Sequence, residues 1–474
     1  MAVNPGRPRT VRILLGVLLA IVLGACNVQG QGTPLPVLET PDTVLSPNPT
    51  GVQISAIPTE PPELPVKVIS QALVPDMQGK LHVVGEVRNE SGQNVTAVVL
   101  TLVAQDAAGV SVIKTGGGEV LLEVTFAPFV ADLANGQTAP FDYALPEGVS
   151  APALLQIFVS SFTPLNAELL PLQVEHVQVM TGQGGEAVMV GELVNQNPVA
   201  VSVSSTAAIL RDDANVPISV GKASVLPGML QPAGDSLNQD RAPFKIPFYT
   251  ALPQGATWQV FTNVVQTDPV DTSMFAIDQA VNVYADSQGR VHLVSSLRNN
   301  AERAFTVQIL AGVYSITGSV LDDGLILLPV DLAPGEELPF DISGFNLLDG
   351  RAAQQARLDQ YTLQVDAART IPSEISWQKL AAEGNSATQE EQGMWIFKGR
   401  VTNTSGADLQ KMVVIAVLKN NSTGALAAVS SAELVNPAGS IPSGVYMDYS
   451  IEVMADPASS DALKPEVLVF GAGG

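Results

Sequence analysis

The chain is poor in the residues that crosslinking, metal binding and nucleic-acid recognition require. Its 474 residues include one cysteine, Cys26, and three histidines, too few for a disulfide framework or a Cys/His metal site. Lys and Arg number 23 against 46 Asp and Glu, so the net charge is −23, and nucleic acid is excluded as a partner because its phosphates would be repelled. Aromatic residues make up 5% of the chain, with three tryptophans, which is thin for a sugar-stacking surface.

Apolar residues, by contrast, are abundant. They make up 46% of the sequence, and the mean hydropathy is +0.25, which is typical of a folded chain rather than a disordered one. At roughly 100–200 residues per domain, this length predicts several domains, each with its own core.

The first 25 residues have the layout of a secretory signal peptide. Three arginines precede an 11-residue apolar run at positions 13–23, which is shorter than the roughly 17–25 residues that a membrane-spanning helix needs. Basic, then apolar, then small residues is the order found in export signals. We therefore expect residues 1–25 to be removed on export.

The small residues at the end of this segment, Leu23-Gly24-Ala25-Cys26, resemble the bacterial lipobox. The resemblance implies cleavage before Cys26 and a diacylglycerol on its thiol. A lipidated terminus with two or three acyl chains anchors a protein stably, so the resemblance places the chain in the bacterial cell envelope, on the extracytoplasmic side of a membrane. An ordinary signal peptide or an uncleaved anchor remains the alternative.

Residues 26–65 are predicted to be the lipidated Cys followed by a disordered Pro/Thr-rich tether. Positions 27–65 hold nine prolines and five threonines, and their apolar residues follow no period. Proline removes amide donors and favours extended conformations, so we expect this segment to hold the folded part away from the membrane.

Beyond residue 65 the chain repeats itself four times. A strand, an Asn and a turn recur in each unit, and the anchor residues are Asn89, Asn195, Asn299 and Asn403, at spacings of 106, 104 and 104. Asn suits a chain reversal because it tolerates left-handed backbone and its amide can bond nearby main chain. A Pro-Phe element recurs later in the first three units, at positions 140–141, 243–244 and 339–340.

Apolar and polar residues alternate with period two in runs of five to nine residues bounded by Gly, Pro and Asn, a pattern that indicates half-buried strands. The size and texture of each unit predict an all-β protein of four tandem immunoglobulin-like β-sandwiches, at 66–165, 171–268, 275–369 and 372–474. The short Pro-containing joints are expected to limit flexing without fixing an angle. Two exceptions are a few helical turns at 350–360 and a hairpin loop at 382–393.

With these residues in place, the units are similar to bacterial FxLyD-type domains and related immunoglobulin-like modules of surface lipoproteins. The shared features are the G-E-[VL]-x-N reversal, the turn after the second run and the Pro-Phe element. In the second unit Leu210 and Asp212 match the signature, with Arg211 in place of its aromatic residue; in the first, Asp106 matches and Leu102 stands where Phe is expected. The resemblance implies a β-sandwich at the cell envelope and brings no common ligand or catalytic residue.

No catalytic residue, metal ligand or cofactor is predicted. His82 and His292 occupy equivalent strand positions 210 residues apart, which indicates a packing or surface role in the module. Ser376 and Lys379 spell S-x-x-K, but the segment reads as a strand, and the S-D-N and K-T-G triplets that this chemistry needs are missing.

Two pairs of adjacent acids follow the second run of their units, Asp212-Asp213 and Asp322-Asp323. Both are predicted to be solvated turns. Whether either collects Ca²⁺ stays open, since the D-x-[DN]-x-[DN]-G spacing does not occur.

These features together predict a membrane-anchored, non-enzymatic lipoprotein that binds or presents an envelope protein or glycan through its tandem sandwiches. Two alternatives remain: a structural spacer in an envelope assembly, and an accessory subunit of an extracytoplasmic enzyme or transporter.

Overall fold

Strands bounded by Gly, Pro and Asn run through the described part of the chain. The structure is a computed structural model that describes residues 64–115, 118–235, 238–345, 360–391, 393–437, 439–457 and 462–473. The chain divides into a unit at 1–59 and a unit at 60–474, and only the second is described below. The predicted signal segment, Cys26, the tether up to residue 63 and the predicted helical turns at 350–359 lie outside the described residues. No helix in the described part is long and apolar enough to cross a membrane.

The first two sandwiches each pair two antiparallel sheets. The first contains β1 (Val66–Pro75), β2 (Leu81–Asn89), β3 (Val95–Gln105), β4 (Val124–Phe126), β5 (Thr138–Ala144) and β6 (Leu154–Pro164), in sheets β1-β2-β5 and β4-β3-β6. The second contains β7 (Leu169–Leu170), β8 (Gln173–Thr181), β9 (Ala187–Val194), β10 (Val201–Arg211), β11 (Pro217–Lys222), β12 (Met229–Leu230), β13 (Arg241–Pro247) and β14 (Thr257–Gln266), in sheets β13-β9-β8 and β11-β10-β14-β7, with β12 on β10.

The last two sandwiches repeat this plan. The third contains β15 (Phe275–Ile277), β16 (Asn282–Ala285), β17 (Val291–Asn299), β18 (Phe305–Thr306), β19 (Gln308–Tyr314), β20 (Val320–Leu327), β21 (Glu337–Ile342), β22 (Tyr361–Val365), a 3-10 turn (Ala367–Arg369) and β23 (Ile371–Pro372). The fourth contains β24 (Trp377–Leu380), β25 (Ala382–Glu391), β26 (Met394–Thr402), β27 (Leu409–Asn420), β28 (Leu426–Leu434), β29 (Tyr446–Met454) and β30 (Leu463–Gly473). The predicted all-β class and its four immunoglobulin-like sandwiches are confirmed.

The loop predicted at 382–393 is wrong, because residues 382–391 form the edge strand β25 on β26. Its polar residues suggested a loop because β25 lies at the edge of an outermost sheet, where seven of its nine residues with assigned burial are exposed. The two that pack partly against the core are small, Ala382 and Ala387, so the strand carries no clear apolar alternation.

A glycine opposite an aromatic ring recurs inside the sandwiches. Gly85 pairs with Phe141 across β2 and β5, and Gly191 pairs with Phe244 across β9 and β13. A Cβ on Gly191 would lie 2.7 Å from the Phe244 ring, so the side chain of the Pro-Phe element covers the glycine backbone. This contact accounts for the joint recurrence of the Gly and the Pro-Phe element in the first two units.

The sandwiches pack face to face rather than end to end. We call the sheet β1-β2-β5 of the first sandwich sheet 1, together with its equivalents β13-β9-β8 in the second, β15-β17-β16 with β21 in the third and β25-β26-β29 in the fourth. The sheet that faces it in each sandwich is sheet 2, which is β20-β19-β22 in the third and β24-β30-β27-β28 in the fourth. Sheet 1 of each sandwich packs on sheet 2 of the next: β1-β2-β5 on β11-β10-β14, β13-β9-β8 on β20-β19, and β17-β21 on β28. The apolar core of the first sandwich therefore continues into Ile209 and Phe261 of the second, and the cores of the third and fourth form one cluster.

This stack explains why some strands are apolar on both faces. All eight residues of β9 are buried, because one face meets its own sandwich and the other meets the next. Such burial is usual for sheets covered on both sides. The three contacts between successive sandwiches are called the first, second and third joint.

Candidate functional site

The first joint contains a buried ion pair between sandwiches. Glu86 on β2 accepts from Arg211 at the end of β10, with Nη2 and Oε1 2.8 Å apart and side chains 12% and 8% exposed for Arg211 and Glu86. Ser70 donates to the other Glu86 oxygen at 3.2 Å. A buried pair is costly to break, because the remaining charge has no partner, so this contact holds the two sandwiches in one arrangement.

A histidine lies at the same joint, four residues before Glu86 on β2. His82 Nδ1 is 2.9 Å from Asp142 Oδ1, and its Nε2 is 3.7 Å from Asp76. Its ring stacks on Tyr249 of the second sandwich, with ring centroids 3.9 Å apart, and burial raises the pKa of the Tyr249 phenol. His82 is therefore a joint residue.

The second joint buries one lysine between two carboxylates. Lys245 Nζ of the second sandwich lies 2.5 Å from Asp322 and 3.3 Å from Asp323 of the third, and neither Asp side chain is exposed. The prediction of a solvated turn at Asp322-Asp323 is wrong, because the hairpin that carries them packs on β13. Asp212, by contrast, accepts the Val216 amide in an exposed turn.

Charges at the second joint shift the pKa values of its members. Burial raises the pKa of the Asp323 carboxyl to about 6, and Lys245 only partly opposes that effect. Burial works against the Lys245 ammonium, but the two carboxylates outweigh it and raise its pKa. The joint thus holds a charged lysine and one carboxylate more than it can neutralise.

The third joint repeats the Asp-His-Asp arrangement of the first. His292 Nδ1 is 2.7 Å from Asp341, and Nε2 is 3.3 Å from Asp286. The His292 ring stacks on the Tyr284 ring, with centroids 4.9 Å apart. The Tyr284 hydroxyl in turn donates to the Met454 carbonyl of the fourth sandwich at 2.7 Å.

The titration of this group follows from its surroundings. Burial opposes charge on the His292 imidazole, but its hydrogen bonds to Asp341 and Asp286, together with their charges, outweigh burial and raise its pKa. Burial raises the pKa of Asp341 as well, despite the histidine. For Asp286, hydrogen bonds from Arg290 and His292 overcome burial and lower the pKa.

The sequence contains a signal for these joints that none of its short motifs carries. The residue after the Pro-Phe element is Asp142, Lys245 and Asp341 in the first three units, and the strand position of His82 and His292 is Val188 in the second. The two units with His at the strand position have Asp after the Pro-Phe element, and the unit with Val there has Lys. This covariation between repeats indicates that the two positions share one buried environment.

The four repeated asparagines have one set of contacts. Each is fully buried, and each side-chain amide donates to the carbonyl four residues on and to a distant one, that of Leu133, Gln231, Leu332 or Ile441 in turn. The side-chain oxygen accepts the backbone amide two residues on. Each Asn thus ties the turn to the opposite sheet. These contacts use three of the four hydrogen bonds that an Asn side chain can make.

One group in the described residues offers three potential metal ligands close together. Atoms of Glu175, His176 and Glu192 all lie within 4.8 Å of one another. Glu192 already accepts from Arg241 at 3.1 Å and from the Tyr314 hydroxyl of the third sandwich at 3.0 Å. Because Arg241 supplies a cation at this place, the group is better described as part of the second joint.

Two open clefts occupy equivalent places at the first and second joints. The cleft at the second joint measures 510 Å³ and lies between β22 and β15 of the third sandwich, with Asn238 and Gln239 of the second at its rim. The cleft at the first joint measures 440 Å³ and lies between β14 and the segment at 169–174, with residues 136–138 of the first sandwich at its rim. Volumes of about 300–1,000 Å³ are usual for ligand sites.

Few of the described residues that line the clefts are ionisable. Among them, Asp278 is the one charged residue at the second cleft, and none lies at the first. The S-x-x-K segment lies elsewhere: Ser376 directly precedes β24, and Lys379 within β24 pairs with Glu336 at 2.8 Å. The described lining can bind an uncharged, polar partner, and the side chains within it offer no acid–base pair.

Comparison with known proteins adds little. No family model and no curated protein sequence matches the chain. Among solved structures it is similar to the native conformation of E. coli alpha-2-macroglobulin, at 9% identity over 86% of this chain and 26% of that one, with a TM-score of 0.12. The chain spans about a quarter of that protein's length, and a similarity this weak carries no argument.

Proposed function

We propose that this chain is a non-enzymatic lipoprotein of the bacterial cell envelope, anchored at Cys26, whose stacked sandwiches bind or present an envelope protein or glycan. The observation that carries the proposal is the repeated cleft of 510 and 440 Å³ at two successive joints. Two equivalent clefts in a row, with one charged residue between them in their described lining, favour binding along an extended partner over a reaction at one centre.

The test is capture of an envelope partner on the full chain, held in detergent. Ala276 lines the second cleft and is exposed, so Ala276→Trp fills the cleft without disturbing a core. Ala108, on an exposed turn of the first sandwich, provides the matched control Ala108→Trp. We expect one protein or wall glycan to be retained by the chain and by Ala108→Trp, and to be lost with Ala276→Trp. A blank with the unaltered chain counts against binding.

A spacer function is the second candidate, because buried polar contacts cross every joint and hold the sandwiches together. In that case the envelope fraction gives a blank, yet shortening the stack by one sandwich disturbs the assembly in cells.

The anchor has its own test. Cys26→Ala protein should leave the membrane pellet and appear in the soluble fraction. Continued sedimentation with membranes would contradict lipidation at Cys26 as the sole anchor.

A further inference from the structure

The cleft at the second joint is bordered by a free sheet edge. Strand β22 pairs with β19 on one side, and in the described residues no strand pairs with its other side. Free edges are commonly protected by lysine, proline or a bulge, and β22, with the sequence YTLQV, carries none of these.

The backbone groups that face the cleft can be assigned from the ladder. The Tyr314 amide donates to the Gln360 carbonyl at 2.9 Å, and the Asp366 amide donates to the Gln308 carbonyl at 2.9 Å. Backbone groups alternate in direction along an antiparallel strand. The N–H and C=O groups of the even-numbered residues 360–366 therefore point to β19, and those of Tyr361, Leu363 and Val365 point into the cleft.

The chain itself shows what such an edge accepts. In the fourth sandwich β24 pairs antiparallel with β30, the strand equivalent to β22, and the Gly473 amide donates to the Ser376 carbonyl at 3.0 Å. In the second sandwich β7 pairs antiparallel with residues 264–265 of β14. The cleft at the first joint is lined by residues 259–263 of β14, so it begins where β7 ends.

We infer that the cleft at the second joint binds an extended polypeptide segment of another protein, which adds an antiparallel strand to the free edge of β22. The inference rests on the proposed binding function and names its ligand class. Strand addition takes its affinity from main-chain hydrogen bonds and its selectivity from alternate side chains.

The lining of the cleft restricts the segment further. Its described residues carry amide, hydroxyl and apolar side chains, with Asp278 as the one charged group among them. A proline at a pairing position of the segment would remove a required donor. The segment should therefore be free of proline over about four residues and mostly uncharged.

Selection of displayed random 12-residue peptides on the full chain tests the inference, followed by affinity measurement with the selected peptides as synthetic probes. Leu363→Pro removes the edge donor but no hydrogen bond to β19, and Leu363→Ala is its matched control because it keeps the amide. We expect Leu363→Pro to weaken binding by about tenfold or more and Leu363→Ala to leave most of it. Should Leu363→Pro fail to fold, Tyr361→Pro with Tyr361→Ala replaces the pair.

Residue-resolved amide exchange gives a second readout. Bound peptide should slow exchange at Tyr361, Leu363 and Val365, and leave Thr362 and Gln364 unchanged because they are already bonded to β19. If no peptide is selected, if Leu363→Pro binds as well as the unaltered chain, or if Tyr361 and Leu363 are already protected in the free chain, the inference is overturned. A captured envelope partner that tolerates Leu363→Pro would overturn this inference alone and leave the proposed function standing.

Discussion

The second joint makes the sharpest stability prediction, because it holds two carboxylates against one lysine. Asp323 is fully buried, and burial raises its pKa from 3.8 to about 6. A carboxyl whose pKa is raised by folding resists ionisation in the folded state, so it reduces stability as the pH rises. The penalty is absent below pH 3.8, grows between 3.8 and about 6, and is complete above that.

Its size follows from the shift. A difference of about two pKa units corresponds to about 3 kcal/mol at 1.36 kcal/mol per unit. Asp323→Asn keeps the shape, removes the surplus charge and leaves Lys245 paired with Asp322 at 2.5 Å. We therefore expect this substitution to stabilise the protein by about 3 kcal/mol at pH 8 and by about 1 kcal/mol at pH 4.5.

Urea unfolding of residues 60–474 at the two pH values measures the effect. Asp322→Asn is the matched control: it removes the negative charge that makes the shorter contact to Lys245, so it should not stabilise at either pH. An Asp323→Asn effect that is equal at pH 8 and pH 4.5, or destabilising at pH 8, would refute the reasoning.

Three further predictions concern the other joints and the core. Arg211→Met leaves Glu86 buried without a cation and should lower the free energy of unfolding by about 3–5 kcal/mol. The double variant with Glu86→Gln should recover most of this loss. No recovery would mean that the unpaired Glu86 charge does not cause the loss. His292→Gln should lower the melting temperature more at pH 5.5 than at pH 8.5. Folding raises the pKa of His292 above its unfolded value of about 6.5, so the stabilisation from the charged imidazole is complete below 6.5 and is lost as the pH rises past the folded-state pKa. Equal losses at the two pH values would contradict this. Gly191→Ala places a Cβ 2.7 Å from the Phe244 ring and should cost about 1–3 kcal/mol in urea unfolding, whereas Gly344→Ala, with open space around it, should be neutral.

The sandwiches themselves could be predicted because their signals are local. Alternation over each strand and the buried Asn at each turn repeat at nearly constant spacing, so the number of units and the class of fold follow from the sequence alone. The glycine and the aromatic ring that face each other, such as Gly85 and Phe141, lie on neighbouring strands of one sandwich, so their pairing follows once the strands of the repeats are aligned.

The stacking could not be predicted by the same means. Period-two alternation assumes one solvated face, but strands at a joint are buried on both, and β9 is apolar nearly throughout for that reason. Asp322-Asp323 looks like a solvated turn until Lys245, 77 residues earlier, is placed opposite it. Contacts between domains are set by tertiary packing, and in a single sequence only the paired change of His with Asp and Val with Lys pointed to them.

We expect the four sandwiches to keep one fixed arrangement in solution, because buried polar contacts cross each joint. Since Cys26 is the single cysteine, residues 60–474 contain none, and spin labels can be placed at will. Labels at Ala108→Cys in the first sandwich and Glu452→Cys in the fourth, both at exposed positions, allow the distance between them to be measured by pulsed electron spin resonance. We expect a single narrow distance distribution. A broad distribution, of the kind that flexible joints produce, would contradict the account.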